Sequence, residues 1–157
     1  MNDTAQQQDI YSLLVPLNDQ RMLIPRANVA EVTGYRDCTP YADAPPWLIG
    51  QFTWEKEPVP LVSFEGAIGA PIPEVAARTR ILLLRTLTDT LKTRSFGLIT
   101  QGFPQLVRVN AMVLETDASS TWPPSGPVMC QVKMVNQHPL IPDIEQLEIM
   151  LAGALPG

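Results

Sequence analysis

The purely apolar runs of this chain are only a few residues long, Ile81–Leu84 among them, and proline, glycine or a polar turn interrupts the sequence between them. That punctuation constrains the fold more than any other feature. A membrane-spanning helix needs roughly 20 apolar residues in a row, so such helices are excluded. A fold of many short strands joined by tight connections is favoured.

Three segments carry the period of two expected of half-buried strands. In IYSLLVPL (10–17), Tyr11, Leu13, Val15 and Leu17 share one face. In LVRVNAMV (106–113), Val107, Val109, Ala111 and Val113 oppose Leu106, Arg108, Asn110 and Met112. VMCQVKMV (128–135) places Val128, Cys130, Val132 and Met134 together. PVPLVSF (58–64) and RILLLRTL (80–87) are apolar on both faces and suit central strands of a closed or doubly covered sheet. Pro58 and Pro60 withhold backbone donors, so that strand is expected to pair incompletely or to lie partly at an edge. SFGLIT (95–100) pairs naturally with 80–87 through the polar turn TDTLKTR. The expected count is roughly eight or more strands.

Helical signals are few. RANVAEV (26–32) reads as a short helix after Pro25, with Val29 and Val32 on one side. The C-terminal DIEQLEIMLAG is clearer: Asp143 is a plausible N-cap with Gln146 three residues on, Ile144, Leu147 and Leu151 form a stripe, and Gly153 offers a stop. The loops 37–46, 66–79 and 116–127 are rich in Pro, Ala and Gly. Pro60-Leu61-Val62 with Glu65 is faintly echoed by Pro139-Leu140-Ile141 with Glu145, which fits two similarly built β subdomains. No boundary divides the chain, so residues 10–152 are expected to form one domain behind a flexible tail, 1–9.

Composition removes several functions. The net charge is −5 and the eleven Lys and Arg residues are scattered, so no basic stripe serves nucleic acid or a charged membrane surface. Charged residues make up only 17%, below the usual quarter or so, which leaves more neutral surface available to partners. The first ten residues are polar and do not read as a secretory signal, so a cytoplasmic location is expected. Cys38 and Cys130 are far apart in sequence. That compartment disfavours a disulfide, and Cys130 reads as a small hydrophobe on a strand face.

Catalytic signals are weak. The single histidine, His138, has no Gly-x-Ser-x-Gly elbow to serve, and one His with two distant Cys lacks zinc-site spacing. Dinucleotide and P-loop motifs are missing. Paired carboxylates are neither supported nor excluded by sixteen acids, but aromatics at 6% are few for sugar stacking. No cofactor is expected, and an enzyme is the weaker class.

Four segments carry a family resemblance. VAEVTGY (29–35) is similar, through its Val-x-Glu pattern and Gly-Tyr, to a short helix-turn segment of the CheW-like adaptors of bacterial chemosensory systems. PPWLIGQFTWEKEPVPLVSFEGAIG (45–69) follows that family's longest motif. FGLITQGFPQLVRV (96–109) resembles its Val-Gly-Leu-x-Val-Asp segment, and HPLIPDIEQL (138–147) its closing strand and helix. The resemblance runs from about residue 10 to 152. It implies a mainly β fold of two intertwined five-stranded SH3-like barrels with a groove between them and a short C-terminal helix. It further implies a non-catalytic adaptor that bridges methyl-accepting chemoreceptor tips to the regulatory domain of a CheA-type histidine kinase, without nucleic acid or membrane insertion.

Two departures matter. Trp54-Glu55-Lys56 stands where the family usually reads Leu-Arg-Gly, reversing the charge at Glu55, and Gln101 replaces a common aspartate. A Trp-containing turn followed by PLVSFE (60–65) resembles the ChpC-type branch associated with type IV pilus chemosensory clusters and twitching motility. Matching positions make Val29, Glu31, Trp54, Glu55, Lys56, Leu98 and Gln101 the expected partner contacts. Each also has a plain structural reading. Trp47 is expected in the core. Trp54 is either core or an anchor, and Glu55-Lys56-Glu57 is either a solvated turn or a recognition tip. Val29 either packs a helix or meets a partner with Glu31. Besides the adaptor, two other functions stand: a CheW-like module that has lost kinase coupling and regulates another partner, and a small β-barrel enzyme.

Overall fold

The structure, a computed structural model, describes residues 9–110, 114–119 and 121–156. Eleven strands and two α-helices follow one another: β1 (Ile10–Pro16), β2 (Arg21–Pro25), β3 (Val29–Gly34), β4 (Leu48–Trp54), β5 (Glu57–Ser63), α1 (Phe64–Ala67), β6 (Arg80–Arg85), β7 (Ser95–Thr100), β8 (Gln105–Val109), β9 (Glu115–Thr116), β10 (Val128–Lys133), β11 (Leu140–Pro142) and α2 (Ile144–Ala154). They form a five-stranded sheet, β3-β6-β7-β5-β4, and a six-stranded sheet, β8-β1-β2-β11-β10-β9. The extra strand over the expected five is β9, only two residues long. Among the described residues, no helix is long and apolar enough to cross a membrane.

Three apolar clusters explain why several strands are apolar on both faces. The largest lies between the sheets and draws Val15, Met22 and Ile24 from one, Val62, Leu82, Leu84 and Leu98 from the other, and Ile144, Leu147 and Leu151 from α2. The five-stranded sheet curls over a second cluster with Phe52, Val59, Leu61, Ile81 and Leu83, and the six-stranded sheet over a third with Leu14, Leu23, Val109 and Val132. Along β6 the alternation therefore sends Leu82 and Leu84 to the shared core and Ile81 and Leu83 to the sheet's own core. The expected hairpin is present, with Leu82 opposite Leu98 and Arg85 opposite Ser95.

The prolines of β5 behave as their missing donors require. Strand β7 pairs with β5 only from Leu61 to Ser63, so Pro58 and Pro60 lie in the portion that pairs with β4 alone. The outer edge of β4 is partly closed by Thr39, which exchanges two backbone bonds with Gln51 (2.8 and 2.9 Å). Gly50 permits this approach, since a Cβ there would stand 2.5 Å from the Thr39 carbonyl oxygen.

Three local expectations are corrected. Residues 26–32 do not form one helix: a 3₁₀ turn covers Arg26–Asn28, and Val29–Gly34 is an edge strand paired with β6. Pairing favours β-branched Val29, Val32 and Thr33 over a short helix. On β10 the four expected residues do not share a face. The ladder shifts between Val128 and Cys130, which leaves Met129 as an extra, exposed residue. This bulge sends Val128 to the shared core and Cys130 and Val132 to the sheet's own core. Finally, α2 runs through Gly153 to Ala154, although its start is as expected: Asp143 accepts a hydrogen bond from the Gln146 amide (3.0 Å). The expected tail falls almost entirely on residues 1–8, and the end of the 106–113 strand on 111–113, both outside the described residues.

Candidate functional site

At one end of the five-stranded sheet, β6 finishes at Arg85, β7 starts at Ser95, β4 finishes at Trp54 and β5 starts at Glu57. Together with the beginning of β3 these ends enclose a groove of about 600 Å³, lined by Glu31, Trp54, Glu55, Glu57, Arg85 and Arg94 among others. Three of the seven residues expected from sequence at a partner surface, Glu31, Trp54 and Glu55, meet here from strands distant in the chain.

The β4–β5 connection is two residues long, with Trp54 opposite Glu57. Both of its residues, Glu55 (φ 49°) and Lys56 (φ 71°), are left-handed. Such a loop matches the twist of the strands, but Asn-Gly is its usual sequence. Each side chain in that region costs roughly 1–2 kcal/mol. The hairpin is held from behind by Arg36, which stacks 5.1 Å from the Trp54 ring centroid and donates to the Thr53 carbonyl (3.1 Å). Trp54 itself is half-buried against the small core, so it joins a structural and an exposed face.

Charges alternate across the groove. Arg85 donates to the carbonyls of Ala27 (3.2 Å) and Val29 (2.9 Å), which ties β6 to β3. Glu31, Glu55 and Glu57 form no ion pair among the described residues, so their carboxylates are available to an incoming group.

The other expected contacts lie elsewhere. Lys56 is exposed on the turn just outside the groove, and Val29 is half-buried against the shared core. Leu98 has no exposed surface and sits in that core, where nothing outside the fold reaches it. The Gln101 amide side chain donates to Glu65 (3.3 Å), a buried carboxylate that also receives the Asn18 amide (3.0 Å). Its role is therefore to brace two turns. Trp47 is half-buried against the shared core, as expected, and its carbonyl accepts from Ser63. Arg36, Arg85 and Arg94 were not anticipated. Arg85 and Arg94 bracket a polar turn, and only the register of the β6–β7 hairpin brings them to the groove.

A second, more apolar groove of about 360 Å³ lies where β2, β11 and the start of α2 meet Leu87. Leu23, Ile24, Ile141 and Ile144 contribute to its lining, with Leu87 and Met129 beside them. Leu87 and Met129 are large apolar side chains exposed at 48% and 60%.

His138 sits on a different constellation. The Asp117 carboxylate accepts from the Ser119 hydroxyl and amide and bonds to His138 Nδ1 (3.0 Å). These bonds, Ser119 first and His138 second, hold the Asp117 pKa down to about 2. Ser119 is directed at the acid rather than at the imidazole, whereas a hydrolytic nucleophile must face the base. The arrangement ties the 117–119 loop to the turn before β11. Among the described residues, no group of three or more His, Cys, Asp or Glu is placed to hold a metal ion. Cys38 and Cys130 are free thiols in separate cores, and burial pushes both pKa values up, away from thiolate reactivity.

Comparison with protein families matches residues 12–148 to the CheW-like domain. Among solved structures, the chain is similar to the scaffolding protein TtCheW from Thermoanaerobacter tengcongensis, at 15% identity and a TM-score of 0.72, over 86% of this chain and 84% of that one. At that identity the likeness concerns the fold. A search of curated proteins finds no match.

Proposed function

The chain belongs to the CheW-like domain family, and from that premise we propose that it is a non-catalytic, cytoplasmic adaptor, with residues 10–152 acting as one unit. It couples a methyl-accepting chemoreceptor tip to the regulatory domain of a CheA-type histidine kinase. One observation carries the reading: Glu31, Trp54 and Glu55, expected from sequence at a partner surface, converge on one groove although they come from β3, β4 and the β4–β5 turn. A bridging protein also needs a second surface, and the apolar groove beside Leu87 and the start of α2 supplies one with different chemistry. Assigning the charged groove to the kinase and the apolar groove to the receptor is part of the proposal.

The finer placement is a ChpC-type adaptor of a type IV pilus system, serving twitching motility. It rests on Trp54 and PLVSFE (60–65). The decisive experiment is calorimetric titration against the kinase regulatory domain of the same organism, then against a receptor-tip fragment. Binding to both, with Trp54→Ala weakening the kinase arm alone, is the expected result. Failure of a folded kinase domain to bind would favour a second reading, in which kinase coupling has been lost. The observation behind that reading is Glu55, exposed and left-handed where the family usually carries arginine. A like-charge encounter there would reject partners suited to the arginine form.

A further inference from the structure

Glu148 is a charged side chain with no exposed surface, on the face of α2 that packs inward. Among the described residues no cation pairs with it. Its carboxylate instead accepts from the amides of Leu87 (2.7 Å) and Thr88 (3.1 Å) and from the Thr88 hydroxyl. A buried carboxylate is costly unless donors surround it, so its position and that of the 87–88 backbone fix one another.

The fixed segment is a boundary between the two grooves. Leu87 lines the apolar groove, alongside Ile144 and Glu145 from the first turn of α2. Its neighbours Arg85 and Thr86 line the charged groove. Thr86 also closes the β6–β7 hairpin, donating through its amide (3.0 Å) and hydroxyl (3.2 Å) to the carbonyl of Arg94, a residue of the charged groove. A continuous hydrogen-bonded path thus runs from α2 through Glu148, Leu87–Thr88 and Thr86 to Arg94.

We infer that Glu148 is a positioning residue that couples the two grooves, so that occupation of one changes the affinity of the other. This rests on the adaptor reading for the identity of the partners, but not for the existence of the path. An occupant of the apolar groove packs on Leu87 and on α2, the two sides of the Glu148 contact. It thereby restrains the 86–88 backbone and lowers the ordering cost of closing the charged groove around a second partner. Coupling of this kind is reciprocal and typically amounts to roughly fivefold or more in affinity.

The test uses the full chain, with Leu87→Ala perturbing the apolar groove and Glu148→Gln removing the carboxylate while keeping its shape. Amide exchange and the Trp54 indole resonance are read without any partner; affinity for the kinase regulatory domain is read with and without a saturating receptor-tip fragment. In Glu148→Gln, exchange at Thr86 is expected to rise by about tenfold and the Trp54 resonance to move. With the receptor-tip fragment present, Leu87→Ala in the wild-type background should weaken kinase-domain binding about fivefold. In the Glu148→Gln background that effect should largely vanish. An equal effect of Leu87→Ala in both backgrounds overturns the coupling, since a merely structural Glu148 leaves the ratio unchanged. If the wild-type chain does not bind the kinase domain, the adaptor reading fails, and the partner-free signals decide the coupling alone: unaltered Thr86 exchange and Trp54 resonance overturn it. Should Glu148→Gln fold poorly, Thr88→Val removes one of the three bonds and is expected to give the same changes at smaller size.

Discussion

The two sheets solve the same problem with different means. The five-stranded sheet has all five of its strands at six or seven residues, apolar on both faces through much of β5, β6 and β7, with a core on each side. At its end it tolerates a two-residue loop of left-handed Glu55 and Lys56. The six-stranded sheet includes β9 with two residues and β11 with three, whereas both sheets carry register shifts, at Met129 in this one and at Ala30 and Ile49 in the other. In that half polar side chains fasten loop to loop: Asp117 gathers Ser119 and His138, and Gln131 donates to the His138 carbonyl (2.7 Å). Where apolar burial is dense, backbone strain can persist at an exposed tip. Where strands are too short for that, side chains must secure the loops.

The largest expected effect breaks the core that the sheets share. Leu98→Ala should cost about 2–5 kcal/mol in urea denaturation, because the residue is wholly buried. The folded fraction should still bind its partner with unchanged affinity. Next comes Trp54→Ala, which removes a half-buried aromatic from the groove wall; partner binding should weaken by about 2 kcal/mol or more in a calorimetric titration. Lys56→Gly should have the opposite sign for stability. It relieves the left-handed strain at φ 71° and should raise the unfolding free energy by less than about 1 kcal/mol, since glycine also loosens the unfolded chain. If it destabilises, the account of the strained hairpin is wrong.

The smallest effect concerns the polar fastening of the six-stranded half. The Asp117 pKa is lowered to about 2 in the folded chain, so its contribution to stability is present above the unfolded value near 4 and lost as the pH falls through about 2. Ser119→Ala removes the largest cause of the shift. Urea midpoints of wild type and variant should differ at about pH 5 and converge as the acid limb is descended. Equal midpoints throughout would mean that the Ser119 hydroxyl bond does not hold the loop.

Local chemistry was readable from the sequence and long-range consequences were not. The β6–β7 hairpin follows from two apolar runs around a polar turn, and the start of α2 from Asp143 with Gln146. The Met129 bulge has no local signal, since a period of two is kept in VMCQVKMV while the ladder slips by one residue. The Glu55-Lys56 loop lacks the Asn-Gly that would announce its geometry. Glu148 has no local signal of its burial, because its partners lie about sixty positions away (61 and 60). Leu98 shows the limit of transfer by resemblance: a matching position became a core residue, while Glu31, Trp54 and Glu55 came together at one groove.

The proposed partner surface is the charged end of the five-stranded sheet. Its most direct test is amide and indole chemical-shift mapping of the labelled chain during titration with the kinase regulatory domain. Shifts should concentrate at Glu31, the Trp54 indole, Glu57 and Ser95, and Glu55→Arg should alter the affinity without unfolding the chain. Saturable shifts confined to the β8–β1 edge, with Trp54 silent, would contradict it.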